Sequence, residues 1–334
     1  MSWDKVKKVL RPDLSKIHMG VMRVDQSKCN QCGLCLQNCP FRAWEWDEGG
    51  YPALKEEYAC FSCYNCKVAC PNDAVTIVEP YHVTDGYFKT DSYPLPAKVP
   101  LEPKDENGNL TEWNAVEKAI FTRRSVRNFK DKPVPEFLIQ RVLEAGRFSP
   151  SAGNCQPWKF VVITNKTLLK EIDKEAKKGI KLLYNMYLND DTVKNLGMIV
   201  EIMPGAFDPR PVYGGMGCIG MNEDLTVSFN APVVILILGD SRSPNPDLNI
   251  GICGQNMNLV ANSLGIKAFW NGFFTAGVDG NPAFKRKFGI KKHWKIVATL
   301  CMGYPAFKQE GIVPREYRPV TWFKEGADGP EIQE

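Results

Sequence analysis

Eight cysteines between positions 29 and 70 constrain this chain more than any other feature. Cys29, Cys32, Cys35 and Cys39 precede Pro40, and Cys60, Cys63, Cys66 and Cys70 precede Pro71. Both runs read C-x2-C-x2-C-x3-C-P. Thiolates at i, i+3 and i+6 on a tight loop close over three corners of one iron–sulfur cube, and the fourth, turned away by its proline, reaches the neighbouring cube. That pattern assigns Cys29, Cys32, Cys35 and Cys70 to one 4Fe–4S cluster and Cys39, Cys60, Cys63 and Cys66 to a second. Structural zinc also takes paired C-x2-C spacings. Yet zinc has no use for three evenly stepped thiolates, a distant fourth and a proline, all repeated. A disulfide framework fits less well still.

Over about residues 20–80 this segment resembles the two-cluster bacterial ferredoxins. The internal repeat carries the likeness: CPFRAWEW follows the first run and CPNDAVTIV the second. The resemblance implies two halves, each a short strand, a cluster loop and a turn, related by a pseudo-twofold. Gly20–Asp25 fits the strand feeding the first loop, Arg42–Trp46 alternates like a strand, and Gly49-Gly50 makes a turn. Trp44, Trp46, Tyr51, Tyr58, Phe61 and Tyr64 fit two roles, a shield around the clusters or the core of a small domain. Base rates of burial favour the core.

A chain of 334 residues is too long for that unit alone. Lys plus Arg number 42 against 38 Asp plus Glu, a net charge of +4, too small to argue for nucleic acid or a membrane surface. Residues 1–80 hold ten charges of each sign, so nothing marks that part for electrostatic docking. The longest apolar run, Ala231–Gly239, is too short to cross a bilayer. MSWDKVKKVLRPDLSK lacks the apolar stretch of a secretory signal. Cluster thiolates imply a reducing compartment, so a cytoplasmic protein of an anaerobic or microaerobic host is expected.

The expected divisions are an N-terminal extension at 1–20, the ferredoxin-like domain at 21–80, a proline-rich connector at 81–110 and a second domain at 111–334. Val6, Val9 and Leu10 suggest a short helix in the extension. In the second domain Trp113, Val116, Ala119 and Ile120 have helical spacing, and Pro135 suits the first turn of a helix ending near Gly146. Lys159–Thr164 reads as a strand, and Asn165 can cap the charged helix that follows. Residues 185–230 are irregular and read as a lid. Ala231–Gly239 is a buried strand by its continuous apolar run. Asn249–Leu264 is a helix stopped by Gly265, and Ile266–Trp270 and Lys295–Met302 complete the strands.

Arg123, Arg124, Ser125 and Arg127 offer planar forks and a hydroxyl of the kind a phosphate needs. Alone the run is weak, since charge runs usually lie on solvated faces. In order come RRSVRNF, SPSAGNCQPWKFVVI, the stretch Leu264–Phe274, and MGYP with a basic tail. Together they resemble the FMN-dependent nitroreductase family across roughly residues 111–323. The resemblance implies an α+β fold and a homodimer with flavin at the subunit interface. It places Arg123, Arg124, Ser125 and Arg127 at the flavin phosphate and ribityl chain, and Pro150, Ser151 and Asn154 at the isoalloxazine ring. It puts Asn271 and Gly272 beside flavin N5, although the family often has glutamate or glycine where Asn271 stands. Arg315 and Arg318 match the basic residues that close on the phosphate.

No acid–base pair or nucleophile stands out, and none is required where FMN carries the chemistry. His18, His82 and His293 are scattered and read as structural, and Cys155, Cys218, Cys253 and Cys301 lack metal spacing. Gly215–Gly220 satisfies G-x-G-x-x-G with Asp240 downstream, but prolines rather than a strand precede it, which argues against nicotinamide binding and for a lid. The expectation is an enzyme in which an external ferredoxin-type donor feeds two 4Fe–4S clusters, the clusters reduce FMN, and FMN reduces a small organic acceptor such as a nitro compound, quinone or flavin. The alternative is an electron-transfer module that serves a partner protein and has no substrate of its own. Anaerobically reconstituted protein should hold about eight irons and eight sulfides per chain. Metal analysis finding single zinc or iron ions would exclude the clusters.

Overall fold

The computed structural model describes residues 14–85, 89–92, 94–96, 100, 102–188, 215–309, 311–326 and 329–333. The helix expected around Val6–Leu10 and residues 189–214 of the expected lid lie outside the described residues.

The cysteine-rich part is built twice over. Strands β1 (Ile17–His18) and β2 (Val21–Val24) lead to helix α1 (Leu34–Asn38), followed by the hairpin β3 (Trp44–Trp46) and β4 (Pro52–Leu54). Helix α2 (Asn65–Ala69), β5 (Val75–Glu79) and β6 (His82–Val83) complete it. β2 pairs antiparallel with β5, and β1 with β6. The two cysteine loops share one backbone course. Gln31 and Gly33 (φ 57° and 69°) correspond to Ser62 and Tyr64 (55° and 57°), and Arg42 (50°) to Asp73 (51°). Left-handed residues at these steps reverse the chain around the thiols and turn amide N–H groups inward. Trp44 and Tyr64 are buried with Met22, Val68 and Val75, while Trp46 stays half-exposed. Trp44 and Tyr64 are therefore core, with Tyr58 packed against them, and the other aromatics of the cluster are not buried.

The second part is a three-layer sandwich. Helices α3 (Ala115–Thr122) and α4 (Glu136–Arg147) precede β7 (Trp158–Ile163), α5 (Lys166–Leu188) and the short α6 (Gly217–Met221). Then come β8 (Val233–Asp240), α7 (Pro246–Ser263), β9 (Lys267–Trp270), α8 (Gly272–Asp279), α9 (Pro282–Lys287) and β10 (Trp294–Gly303). An exposed hairpin, β11 (Val320–Trp322) with β12 (Glu331–Gln333), follows. The sheet runs β7-β8-β10-β9, every neighbour antiparallel. Its central strand shows why the apolar run was continuous. Val234, Leu236 and Leu238 pack toward α5 and α8, and Val233, Ile235 and Ile237 pack toward α4 and α7. Both faces are covered, so the period-two alternation of a half-buried strand is absent.

Local signals set the helix ends. Asn114 caps α3 in a capping box with Glu117, and the Asn165 side chain accepts from Leu168 N–H at 3.0 Å. Gly265 follows α7 at φ 75°. Helix α5 buries Leu169, Ile172, Ala176 and Ile180 along one stripe. α3 buries none of its residues, and Val116 and Ile120 are 64% and 44% exposed.

The two parts meet closely. Asn128 Nδ2 donates to Gln37 O at 2.8 Å, Gln309 Nε2 donates to Asn38 Oδ1, and Val313 packs into the ferredoxin-like core. Close approach also governs the sandwich. A Cβ on Gly277 of α8 would stand 2.7 Å from Ala176 Cβ and 2.9 Å from its Cα on α5. Gly277→Val should therefore cost about 1–3 kcal/mol. Denaturation against the unaltered chain checks it, and unchanged stability would contradict this contact.

Candidate functional site

The thiols fall into two neighbourhoods. Burial pushes the Cys35 thiol up to about 12, with Cys70 and Cys32 adding to the effect. Cys39 is pushed up to about 11 by burial and Cys63, and Cys60 to about 12 by burial, Cys63 and Cys39. Cys66 rises well above the usual thiol range through burial and the neighbouring Cys63, Cys60, Cys39 and Cys35. Cys35 thus keeps company with Cys70 from the other run, and Cys39 with the Cys60 run. Such crowding makes the ionised set costly without a compensating cation, and iron supplies one. Backbone N–H groups already aim at the sulfurs: Ala43 N donates to Cys39 Sγ at 3.3 Å, and Ala74 N to Cys70 Sγ at 3.2 Å. Among the described residues no three His, Cys, Asp or Glu side chains gather around a single-ion site. The donor chemistry fits 4Fe–4S clusters.

The arginine run lies along the opposite sheet edge from β7. Ser125 bridges Ala268 of β9, and Val126 N donates to Ala268 O at 3.3 Å. Burial and the nearby Arg315 both depress the Arg123 guanidinium, so the tail brings a second cation to the first. A half-buried cation and an exposed one brought together call for an anion between them. Arg124 differs from its expected role. It is 4% exposed, and its Nη2 donates to the Gly311 and Thr122 carbonyls, so it clasps the C-terminal segment. Arg127 stands over the Phe269 ring at 5.0 Å, and its buried Nη1 has no hydrogen-bond partner among the described residues. Arg318 is exposed and pairs with Glu316 at 2.5 Å.

Pro150, Ser151 and Asn154 lie elsewhere. Ser151 Oγ accepts from Gln156 N at 3.0 Å, and Gly153, Asn154 and Gln156 are all left-handed (φ 55°, 52° and 47°). This loop enters β7 at Trp158, which is in register with Gly239 of β8, whereas Ser125 sits beside β9 near the other end. Three strand spacings, about 14 Å, separate those edges. Within one chain the expected ring loop and phosphate residues therefore occupy opposite corners of the sheet. Asn271 is buried and fully engaged: its Oδ1 caps α8 by accepting from Phe274 N, and its Nδ2 donates to Val227 O at 2.8 Å. Gly272, the first residue of α8, has open space where a Cβ would lie.

Several residues at the domain junction gave no signal by type or spacing. Arg42, Lys55, Asn38 and Asn128 join Cys39 and Arg127 around a cavity of about 500 Å³ between the two parts. Asn128 adjoins the arginine run, which is the one hint the chain offered. Gly217–Met221, which overlaps the glycine fingerprint, forms α6 against α5, and Cys218 Sγ lies 3.7 Å from Pro40 O. Asp240 is occupied with Arg242 at 2.6 Å. His82 is buried and stacked on His18 at 4.5 Å, in keeping with a structural role.

A model of the nitroreductase family matches residues 120–304, more than half of the chain, and a 4Fe-4S dicluster domain matches residues 28–75. A protein of Methanothermobacter thermautotrophicus with the provisional name NADH dehydrogenase/NAD(P)H nitroreductase is 29% identical over 204 residues, covering 60% of this chain and 82% of that one. The 4-nitrobenzoate reductase of a Nocardioides species is 26% identical over 217 residues, covering 58% and 82%. A nitroreductase with bound FMN from Desulfitobacterium hafniense superposes with a TM-score of 0.47 at 21% identity, covering 64% and 100%. No described helix is long and apolar enough to cross a membrane.

The Arg123–Arg315 pair should take up inorganic phosphate. At ten times its dissociation constant, phosphate should stabilise the cofactor-free protein by about 1.4 kcal/mol. Thermal denaturation should show that gain abolished by Arg123→Met or Arg315→Met and kept by Arg318→Met.

Proposed function

This chain belongs to the nitroreductase family of oxidoreductases and carries a 4Fe-4S dicluster domain, and from that premise we propose an iron–sulfur flavoprotein. In this reading Cys29, Cys32, Cys35 and Cys70 hold one cluster, and Cys39, Cys60, Cys63 and Cys66 the other. An external ferredoxin-type donor supplies low-potential electrons, and a small organic compound (nitro compound, quinone, flavin or related acceptor) receives them. When bound, FMN couples these two ends, since it takes electrons singly and gives up a pair as a hydride equivalent.

Arg127 is the observation that carries the reading. It belongs to the run that resembles a flavin-binding motif, and it lines the cavity between the two parts together with Cys39. One side chain thus borders the cysteine set and the expected flavin site together. Its buried, unpartnered Nη1 is an orphaned donor, which costs free energy until an acceptor arrives. Flavin oxygens would satisfy it. Arg123 and Arg315 would hold the phosphate, and Ser125 would lie beside the ribityl chain. Arg124 would brace the tail, and the N–H of Gly272 would face flavin N5. Asn271 would act by capping α8, and Arg318 would lie outside the grip.

Pro150, Ser151 and Asn154 stand at the far corner of the sheet, so they would serve the flavin of a second copy. A homodimer would complete both sites, and the exposed Val116, Ile120, Phe137 and Phe148 offer apolar surface for it.

Anaerobic flavin reduction with NADH, NADPH and reduced ferredoxin side by side tests the donor. Reduced ferredoxin should act rapidly, and Cys63→Ser should slow that reduction at least tenfold. Rapid reduction by NADH or NADPH with either cluster's cysteines replaced would overturn the route.

A further inference from the structure

The inference drawn here rests on the function proposed above. The two cysteine sets do not face the rest of the chain alike. Cys32 is exposed and Cys29 half-buried, and they mark an outer pole. Cys39 borders the cavity of about 500 Å³ between the domains, which Arg42, Lys55 and Arg127 also line and to which no carboxylate among the described residues contributes. Cys70 of the other set borders a separate cavity of about 750 Å³, where Lys67 is answered by Asp73 at 3.0 Å, and Lys28 pairs with Asp25 at 3.2 Å.

We propose that the cluster held by Cys39, Cys60, Cys63 and Cys66 is the electron exit toward the nitroreductase domain, and that the cations of this cavity, Arg127 foremost, raise its reduction potential. Iron–sulfur potentials respond to net charge, hydrogen bonds and solvent exposure. A fixed positive charge favours the form carrying the extra electron. Salt and water screen the exposed Arg42 strongly and the half-buried Arg127 much less. The site is also held rigidly: Asn128, next to Arg127, donates to Gln37 O at 2.8 Å, which ties the cation to the helix preceding Cys39. Each transfer moves one electron from an external one-electron carrier, which is oxidised, to the outer cluster and then to the inner one. No bond is made or broken.

Anaerobic potentiometric titration of the full chain, followed by electron paramagnetic resonance, reads the two clusters separately, and Cys63→Ser identifies the inner cluster by altering its signal. Arg127→Gln should lower the midpoint of the inner cluster and leave the outer one in place, and Arg127→Lys should restore most of the loss. The Arg42→Gln/Lys55→Gln pair should shift the same cluster in the same direction by less. Arg23→Gln, an exposed charge on β2, should shift neither. Equal shifts in both clusters, no shift, or a shift in the outer cluster alone overturns the inference. If Arg127→Gln does not retain its clusters, the paired variant decides: a shift confined to the inner cluster supports the proposal and no shift overturns it. An unaltered chain lacking two cluster signals would instead overturn the functional reading itself, and this inference with it.

Discussion

One strand buried on both faces sets the position of everything else in the second domain. Val233–Asp240 cannot sit at a solvated surface, because its side chains are apolar on either side of the sheet. Helices must therefore cover both faces, and β7, β10 and β9 must assemble around it. The sheet edges are then the places where polar chemistry can gather. Ser125 and its arginines settle along β9, and the left-handed loop at Gly153–Gln156 settles before β7. A rigid sheet keeps those corners apart. This separation is what makes a second copy part of the proposed flavin site.

The ferredoxin-like part obeys a different constraint. It has few strands and a small apolar core, and several of its core positions are the cysteines themselves. Burying thiols beside one another disfavours their ionised form, while metal binding requires that form. Cluster assembly and folding are therefore coupled in this half, as expected for a small metallo-domain. The core also accepts Val313 from the far end of the chain, so the tail that brings Arg315 to Arg123 is anchored on the cysteine-rich part.

Much of the architecture was legible before any coordinates. The repeat of Cys29–Pro40 in Cys60–Pro71 implied a repeated backbone, and the matched left-handed residues are that repeat in three dimensions. The signals at Asn165 and Gly265 fixed the start of α5 and the end of α7, and the apolar run placed β8 to within two residues. The site was less legible. Arg123, Arg124 and Arg127 look interchangeable as a run, yet one faces Arg315, one clasps Gly311 and one reaches the cysteine loops. Asn271 gave no sign that its side chain would be consumed in capping α8. Spacing along a chain reports which residues share a loop; it does not report which way each side chain turns.

The sequence by itself determined the cysteine chemistry, the covered central strand and the kinship of the second domain. These depend on short-range spacing and on period, which are properties of the chain as written. Only the tertiary structure decided that Arg42, Lys55 and Arg127 would meet Cys39 around one cavity, and that the ring loop and the arginine run would stand at opposite corners. Those arrangements depend on how a packed sheet and a docked second domain divide the space between them, and contacts between residues so distant in sequence leave no periodic trace.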